Sequence, residues 1–166
     1  MIYYITKQTS IEEKSSDITY LNDTELLHNW LKNTKVIGCD TETEGFDVFT
    51  CGLISIQFGD KYDQFVVNCY EFDITEFKKY FIDKEKTWIF HNAKFDLRFL
   101  YYKGIIPAIV RCTFLGEVVQ KTGLIPIAGE KALDAVALKY CGAVLDKEVR
   151  GKIHYKGLDT EVIKYA

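Results

Sequence analysis

The stretch "VIGCDTETEG" (residues 36–45) joins an apolar run to three acidic residues at alternate positions. Its β-branched and apolar residues predict a central strand over residues 35–42. Side chains two positions apart point to the same side of a strand, so we expect Asp40 and Glu42 to share one face. Because crowded carboxylates repel one another, we expect them either to face water or to surround a cation.

The composition limits the classes of protein that fit. A chain of 166 residues with 48% apolar and 27% charged residues is typical of one globular domain with its own core. It has no run long enough for a membrane helix and no signal-peptide pattern, so we expect no membrane partner and a cytoplasmic location. The net charge of −3 argues against a protein that coats duplex nucleic acid, but it is compatible with an enzyme whose site is acidic.

The rest of the chain predicts an α/β fold with a mixed central sheet flanked by helices. Apolar runs predict strands, two of them joined as a hairpin through Gly59-Asp60-Lys61, at residues 2–6, 35–42, 52–59, 62–68 and 86–92. Helical periodicity and capping residues predict helices at residues 22–33, 73–83, 93–104, 113–121, 130–142 and from 158 onward.

A second acidic residue follows the last predicted strand. The stretch "HNAKFDLRFL" (residues 91–100) places Asn92 at the strand end and Asp96 four residues later, on the same side of the helix that follows. A capping Asn and a surface Asp would also explain this spacing. Together, however, two carboxylates from a strand and one from a helix can surround Mg²⁺, which prefers oxygen ligands. A pair of such ions can promote phosphodiester cleavage.

Three segments in order resemble the motifs of the DEDD-type 3′–5′ exonucleases of the tyrosine subclass: "DTETEGFD" (40–47), "FHNAKFDLRFL" (90–100) and "LDTEVIKYA" (158–166). More narrowly, they resemble the proofreading domain of family A DNA polymerases, and the resemblance covers nearly the whole chain. It implies a ribonuclease-H-like fold and one exonuclease domain over residues 1–166. It also implies hydrolysis of the terminal phosphodiester of DNA with two Mg²⁺ ions, which Mn²⁺ can replace.

The resemblance implies four catalytic residues in this chain. Asp40, Glu42 and Asp96 would be metal ligands, and Glu42 would also orient the attacking water. Tyr165 would hydrogen-bond that water or the scissile phosphate.

The resemblance also implies contacts with the substrate. Phe46 would wedge between the last two bases, and aromatic–base stacking suits this role. Thr43 and Asn92 would contact the terminal nucleotide. Glu44 falls at a variable position of the family, so we expect it to be a solvated loop residue.

The third motif of the family is Tyr-x-x-x-Asp, and its Asp would fall three positions beyond Ala166. We therefore expect the chain to be a domain of a longer polymerase, followed by the polymerase domain. Without this ligand the chain by itself is expected to be weakly active or inactive. The expected partner is the single-stranded 3′ end of DNA, and a phage or bacterial origin would fit, with the host cytoplasm as the location of a phage protein.

Two other functions are compatible with the same motifs. The first is an RNA 3′-trimming exonuclease of the ribonuclease D type, because the contacts that distinguish RNA from DNA are not visible in a sequence. The second is a degenerate exonuclease fold that serves as a non-catalytic module. The presence of Asp40, Glu42 and Asp96 argues against the second alternative.

Overall fold

The computed structural model describes residues 1–8, 15–124 and 128–145, together with Ile163. Within these residues the strands are β1 (Ile2–Ile5), β2 (Ile18–Leu21), β3 (Val36–Thr43), β4 (Leu53–Gly59), β5 (Gln64–Asn68), β6 (Thr87–Phe90) and β7 (Val110–Cys112). The helices of the same residues are α1 (Glu25–Asn33), α2 (Lys78–Phe81), α3 (Lys94–Tyr102), α4 (Thr113–Gln120) and α5 (Leu133–Cys141). A 3₁₀ turn over Ile74–Phe77 leads into α2.

The strands form one mixed sheet in the order β2-β1-β5-β4-β3-β6-β7. Strands β3, β4 and β5 are antiparallel neighbours, whereas β2 and β1 on one side, and β6 and β7 on the other, run parallel to their neighbours. The predicted α/β class with a mixed central sheet is therefore confirmed. Among the described residues, no helix combines the length and the apolar character that crossing a bilayer requires.

The strand register gives the sheet two chemically different faces. Asp40 pairs with Gln57 and Glu42 pairs with Ser55, so these four polar side chains lie on one side, which we call the acidic face. The residues that alternate with them, such as Thr41, point to the opposite side, which we call the core face. A strand that carries both kinds of side chain can thus contribute to the core and to a site at once.

The main hydrophobic core lies on the core face, beneath α1, α2 and α3. Its fully buried side chains include Ile37, Ile56, Phe58, Phe65, Phe77, Phe81, Trp88 and Leu100. Phe81 stacks on Trp88 with ring centroids 4.0 Å apart, which joins α2 to β6. A second, smaller cluster of Tyr4, Ile18, Val66 and Ile163 lies on the acidic face.

Most predicted elements are present with shorter bounds. The five predicted strands correspond to β1, β3, β4, β5 and β6, and the predicted hairpin joins β4 to β5. Two short strands at the sheet edges, β2 and β7, were not predicted. The predicted helix over residues 73–83 is divided into a 3₁₀ turn and α2. The helix predicted from residue 158 lies outside the described residues except for Ile163, which has helical backbone.

Candidate active site

The acidic residues of β3 lie where this strand extends past its neighbour β6. The two strands pair only over Val36, Ile37 and Gly38, and β6 ends at Phe90. The following residues of β3 pair with β4 alone. The chain after β6 turns into α3 at this point, and this turn brings the first residues of α3 beside the unpaired edge of β3.

Asp40 and Glu42 share the acidic face, as the alternation of β3 predicts. Asp40 is exposed and Glu42 is half-buried. Their partners on β4, Gln57 and Ser55, are buried. Gln57 Nε2 donates a hydrogen bond to the Ser55 hydroxyl at 2.7 Å. Gln57 Oε1 is buried and has no hydrogen-bond partner among the described residues. A buried acceptor with unused capacity therefore lies next to the acidic pair in the sheet.

Asp96 lies in the first turn of α3 and is only 1% exposed, which excludes the alternative of a surface acid. The Thr41 hydroxyl donates to Asp96 Oδ1 at 2.7 Å. The pKa of Asp96 is raised to about 7, mainly by burial and secondly by the negative charge of Asp40. The hydrogen bond from Thr41 opposes this rise. The two carboxylates are thus close enough to affect each other's ionisation.

The donor chemistry of this region suits a divalent cation. Asp40, Glu42 and Asp96 offer only oxygen, which Mg²⁺ prefers, and a positive charge would relieve the repulsion that raises the pKa of Asp96. Within the described residues, no three His, Cys, Asp or Glu side chains are arranged closely enough to hold a metal ion. The described residues therefore supply suitable donors, and the role of each as a ligand stays a prediction.

Thr43 and Asn92 lie at the two ends of this region. Thr43 is buried, and its hydroxyl donates to the Gly45 carbonyl at 2.7 Å. Asn92 is exposed and has a φ of 58°, a left-handed conformation that Asn adopts more readily than most residues. Its carbonyl accepts a hydrogen bond from the N–H of Phe95, whereas Ala93 occupies the N-cap position of α3. Asn92 is thus accessible to a ligand, while the Thr43 hydroxyl is engaged within its own loop.

Phe46 lies beside α3 and is 77% exposed. The ring meets that of Phe95 edge to face, with centroids 6.0 Å apart. The Phe46 carbonyl accepts a hydrogen bond from Arg98 Nη2 at 3.3 Å. These contacts fix an exposed aromatic ring next to the helix that carries Asp96.

Glu44 is an exposed residue of the loop after β3, as predicted, and it is also held by hydrogen bonds. Its Oε2 accepts a hydrogen bond from the Gly52 N–H at 2.8 Å, and its Oε1 accepts one from the Tyr70 hydroxyl at 2.9 Å. These two bonds, that from Gly52 first, lower the pKa of Glu44. Glu44 therefore holds the loop after β3 against the start of β4.

Tyr165 lies outside the described residues. Ile163, two positions earlier, is buried with Tyr4, Ile18 and Val66 on the acidic face. The segment that carries the third motif therefore has one side chain packed on the same face as Asp40 and Glu42.

Two residues that the sequence did not single out belong to this region. Thr41 holds Asp96 through its hydroxyl, and Gln57 lies opposite Asp40. The alternation of β3 places Thr41 on the core side. A Thr that directly follows an Asp in a strand gives no indication that its hydroxyl will bind a carboxylate on a helix distant in sequence. The polar Gln57 within the apolar run of β4 was such a signal, because a buried polar side chain requires a partner.

Comparison with known proteins gives one family and one fold. A model described as 3′–5′ exonuclease matches residues 17–166. A curated relative, DNA polymerase I from Aquifex aeolicus (strain VF5), is 33% identical over 88 residues, which are 52% of this chain and 14% of that protein. The chain therefore spans only a small part of the length of this relative.

Comparison of the fold with solved structures agrees with the family match. RNase D from Escherichia coli superposes with a TM-score of 0.70 and 21% identity, covering 85% of this chain and 37% of that one. NrnC from Brucella melitensis, bound to pGG, superposes with a TM-score of 0.70 and 20% identity, covering 88% and 69%. A structure of NrnC with bound Mg²⁺ gives a TM-score of 0.66 at 19% identity with the same coverage. The fold is thus ribonuclease-H-like, and the chain belongs to the family of DEDD-type 3′–5′ exonuclease domains.

Proposed function

We propose that residues 1–166 form the proofreading 3′–5′ exonuclease domain of a family A DNA polymerase. The domain would hydrolyse the terminal phosphodiester at the single-stranded 3′ end of DNA. The observation that carries this proposal is the pair of interacting carboxylates, Asp40 on β3 and the buried Asp96 on α3, at the unpaired edge of β3. The stretch of 33% identity to a DNA polymerase I supports a polymerase as the parent protein.

Asp40, Glu42 and Asp96 would hold two Mg²⁺ ions, and Mn²⁺ would replace them. Bound divalent ions supply Lewis acidity that activates water and stabilises the leaving oxygen. NrnC, a structural relative, is known with bound Mg²⁺. In this chain the Thr41 hydroxyl fixes the position of the Asp96 carboxylate. Burial and Asp40 raise the pKa of Asp96 to about 7, so the carboxyl is partly protonated near neutral pH, and a bound cation would favour its ionised form.

The other residues of the site would position the 3′ end. Phe46 would stack on the terminal bases, and the exposed Asn92 would contact the terminal nucleotide. The Tyr165 hydroxyl would hydrogen-bond the attacking water or the scissile phosphate. Thr43, whose hydroxyl is bonded to Gly45, would act mainly through the shape of its loop.

The test is turnover of 3′-labelled single-stranded DNA with Mg²⁺ or with Mn²⁺, by residues 1–166 and by a version extended by a segment that completes the Tyr-x-x-x-Asp pattern. We expect the extended protein to release single nucleotides from the 3′ end and the shorter chain to be slower. Asp40→Ala should abolish turnover. Glu85→Gln is the matched control, because Glu85 is an exposed carboxylate that forms an exposed ion pair with Lys35 at 3.5 Å. An extended protein that is inert, or that is indifferent to Asp40→Ala, would refute the proposal.

The same assay with an RNA of identical sequence distinguishes the two nucleases. Faster trimming of RNA than of DNA would favour the ribonuclease D type of function over proofreading. A non-catalytic module would bind no Mn²⁺ at this site, and titration of Mn²⁺ into the wild-type protein and into Asp96→Asn separates that case.

A further inference from the structure

A strip of aromatic and cationic side chains runs along one side of α3, away from the candidate metal ligands. Phe95, Arg98 and Tyr102 are spaced three and four positions apart, so they lie on the same side of the helix. The loop after β3 runs beside them, with Phe46 against Phe95 and Phe49 against Tyr102. We call these five residues the α3 strip.

The outer end of the α3 strip is an exposed aromatic pair. Phe49 is 77% exposed and Tyr102 is 57% exposed, and their rings meet edge to face with centroids 5.7 Å apart. Single exposed aromatic residues are ordinary on protein surfaces, but two that touch each other form a small apolar patch that a ligand can cover. The Asp47 carboxylate accepts a hydrogen bond from the Phe49 N–H at 3.0 Å, so the backbone that presents the Phe49 ring is fixed.

The exposed charges of α3 are all positive. Lys94 and Arg98 are exposed, whereas Asp96, the acidic residue of this helix, is buried against Thr41. In the part of the chain that the structure describes, neither Lys94 nor Arg98 forms an ion pair with a carboxylate. In a chain with a net charge of −3, the positive charge of Arg98 beside these exposed rings suits a polyanion with planar groups.

The two aromatic pairs are separated along the helix. Tyr102 lies seven positions after Phe95, which corresponds to a rise of about 10 Å along the axis of α3. Stacked nucleotides follow one another at about 3.4 Å, so this separation corresponds to about three steps of a stacked strand. Arg98 lies between the pairs, where it can contact a phosphate of the same strand.

We propose that Phe49 and Tyr102 form a second stacking platform, which binds a nucleobase about three stacked nucleotides upstream of the 3′ end of a single-stranded nucleic acid. This inference rests on the proposed function, in which Phe46 binds the terminal bases. The platform extends the substrate site along α3 and makes binding depend on the length of the strand. Shorter products then lose the platform contact and dissociate.

The test compares the affinities for two fluorescent probes, a thymidine dinucleotide and an oligothymidylate of about eight nucleotides, by fluorescence anisotropy in EDTA at low salt. We expect the double variant Phe49→Ala/Tyr102→Ala to bind the longer probe about five- to tenfold more weakly and the dinucleotide unchanged. Tyr102→Phe should retain the affinity of the wild-type protein, because a Phe ring also stacks. Tyr101→Ala is the matched control, since Tyr101 is an exposed tyrosine on the side of α3 that faces α4.

The outcomes separate the two proposals. A double variant that binds both probes like the wild-type protein overturns the platform and leaves the exonuclease proposal standing. A wild-type protein that binds neither probe counts against both. Equal losses with both probes, or a loss in Tyr101→Ala as large as in the double variant, would point to a general disturbance of α3 and also overturn the platform.

Discussion

The carboxylate of Asp96 is buried beside a second carboxylate, which is an unfavourable position for a negative charge. Its hydrogen bond from Thr41 offsets only part of the cost, because the pKa still rises to about 7. A buried acid that is destabilised in the metal-free protein is typical of a functional site rather than of a structural ion pair. The free-energy cost of burying this carboxylate can therefore be measured as a change in the stability of the protein.

Asp96→Asn is expected to stabilise the metal-free protein at neutral pH. The pKa of Asp96 is about 7 in the folded state and about 3.9 in the unfolded state, so between these values only the folded state holds the proton. The free energy of unfolding of the wild-type protein therefore falls as pH rises from about 4 to 7. The Asn variant keeps an acceptor for the Thr41 hydroxyl but carries no charge, so its stability does not fall in this way. Thermal unfolding in EDTA should show a higher Tm for the variant at pH 8, by about 2–4 °C for each kcal/mol gained.

The difference in Tm should become small near pH 3, below both pKa values, where the carboxyl is largely protonated in the folded and in the unfolded state. Asp23→Asn is the control, because Asp23 is an exposed carboxylate that also lies at the start of a helix, where it accepts a hydrogen bond from the Glu25 N–H. A variant that is less stable than the wild-type protein at pH 8 would contradict this account of Asp96.

Asn92 combines a backbone role with a predicted substrate contact, and two substitutions separate these roles. Asn92→Ala should be about 1 kcal/mol less stable than Asn92→Gly, because a φ of 58° strains a residue with a Cβ and not Gly. Both variants remove the side chain, so both should bind the oligothymidylate probe more weakly. Urea unfolding measures the first effect, and anisotropy measures the second. A Gly variant with wild-type affinity would show that the side chain does not contact the substrate.

At the scale of elements, the sequence predicted the strands of the sheet centre and missed those at its edges. The apolar run that begins at Val36 and the hairpin through Gly59 are strong local signals. β2 has four residues and β7 has three, and each is paired on one side only, so tertiary pairing rather than local pattern defines them. The shared face of Asp40 and Glu42 followed from alternation, whereas the Thr41–Asp96 bond joins residues 55 positions apart and has no local signal.

Helices α4 and α5 are joined by a buried carboxylate. Lys139 Nζ donates to Glu117 Oε1 at 2.5 Å, and the Tyr140 hydroxyl donates to Glu117 Oε2 at 3.1 Å. These contacts, that of Lys139 first, lower the pKa of Glu117. The stabilisation is therefore present above the pKa of an unfolded Glu, about 4.3, and is lost as pH falls through the lower pKa of the folded state.

Glu117→Gln is expected to lower the Tm by a few degrees at pH 7 and to have little effect at strongly acidic pH. Thermal unfolding across this pH range measures the difference. Glu85→Gln, which removes an exposed ion pair, should leave the Tm unchanged at either pH, since exposed pairs contribute little. Equal effects of the two substitutions would argue that burial of Glu117 is unimportant.

At the scale of the whole molecule, the two faces of the sheet carry different clusters. Among the described residues, the core face carries the main core under three helices, and the acidic face carries a cluster of four buried side chains. One of the four, Ile163, comes from the segment of the third motif. On the proposed function, in which this segment supplies Tyr165, packing of the segment and completion of the site are linked.

Ile163→Ala is expected to cost about 2 kcal/mol of unfolding free energy and to reduce turnover of 3′-labelled DNA, because Tyr165 is two residues away. Ile163→Val should have a smaller effect on both, since it removes one methyl group. Val144→Ala is the control for an exposed apolar residue. Urea unfolding and the nuclease assay give the two readouts. Loss of stability with full turnover would show that the third motif acts independently of this packing.

The same cluster has a consequence for biosynthesis. Tyr4 and Ile18 leave the ribosome before Ile163, which follows them by more than a hundred positions. Among the residues that the structure describes, no buried member of the main core follows Ile105, so these members can pack together while later residues are still being added. On the proposed function, the main core of a nascent chain would therefore form before the acidic face is complete, so the nuclease site would be assembled only late in the translation of this domain.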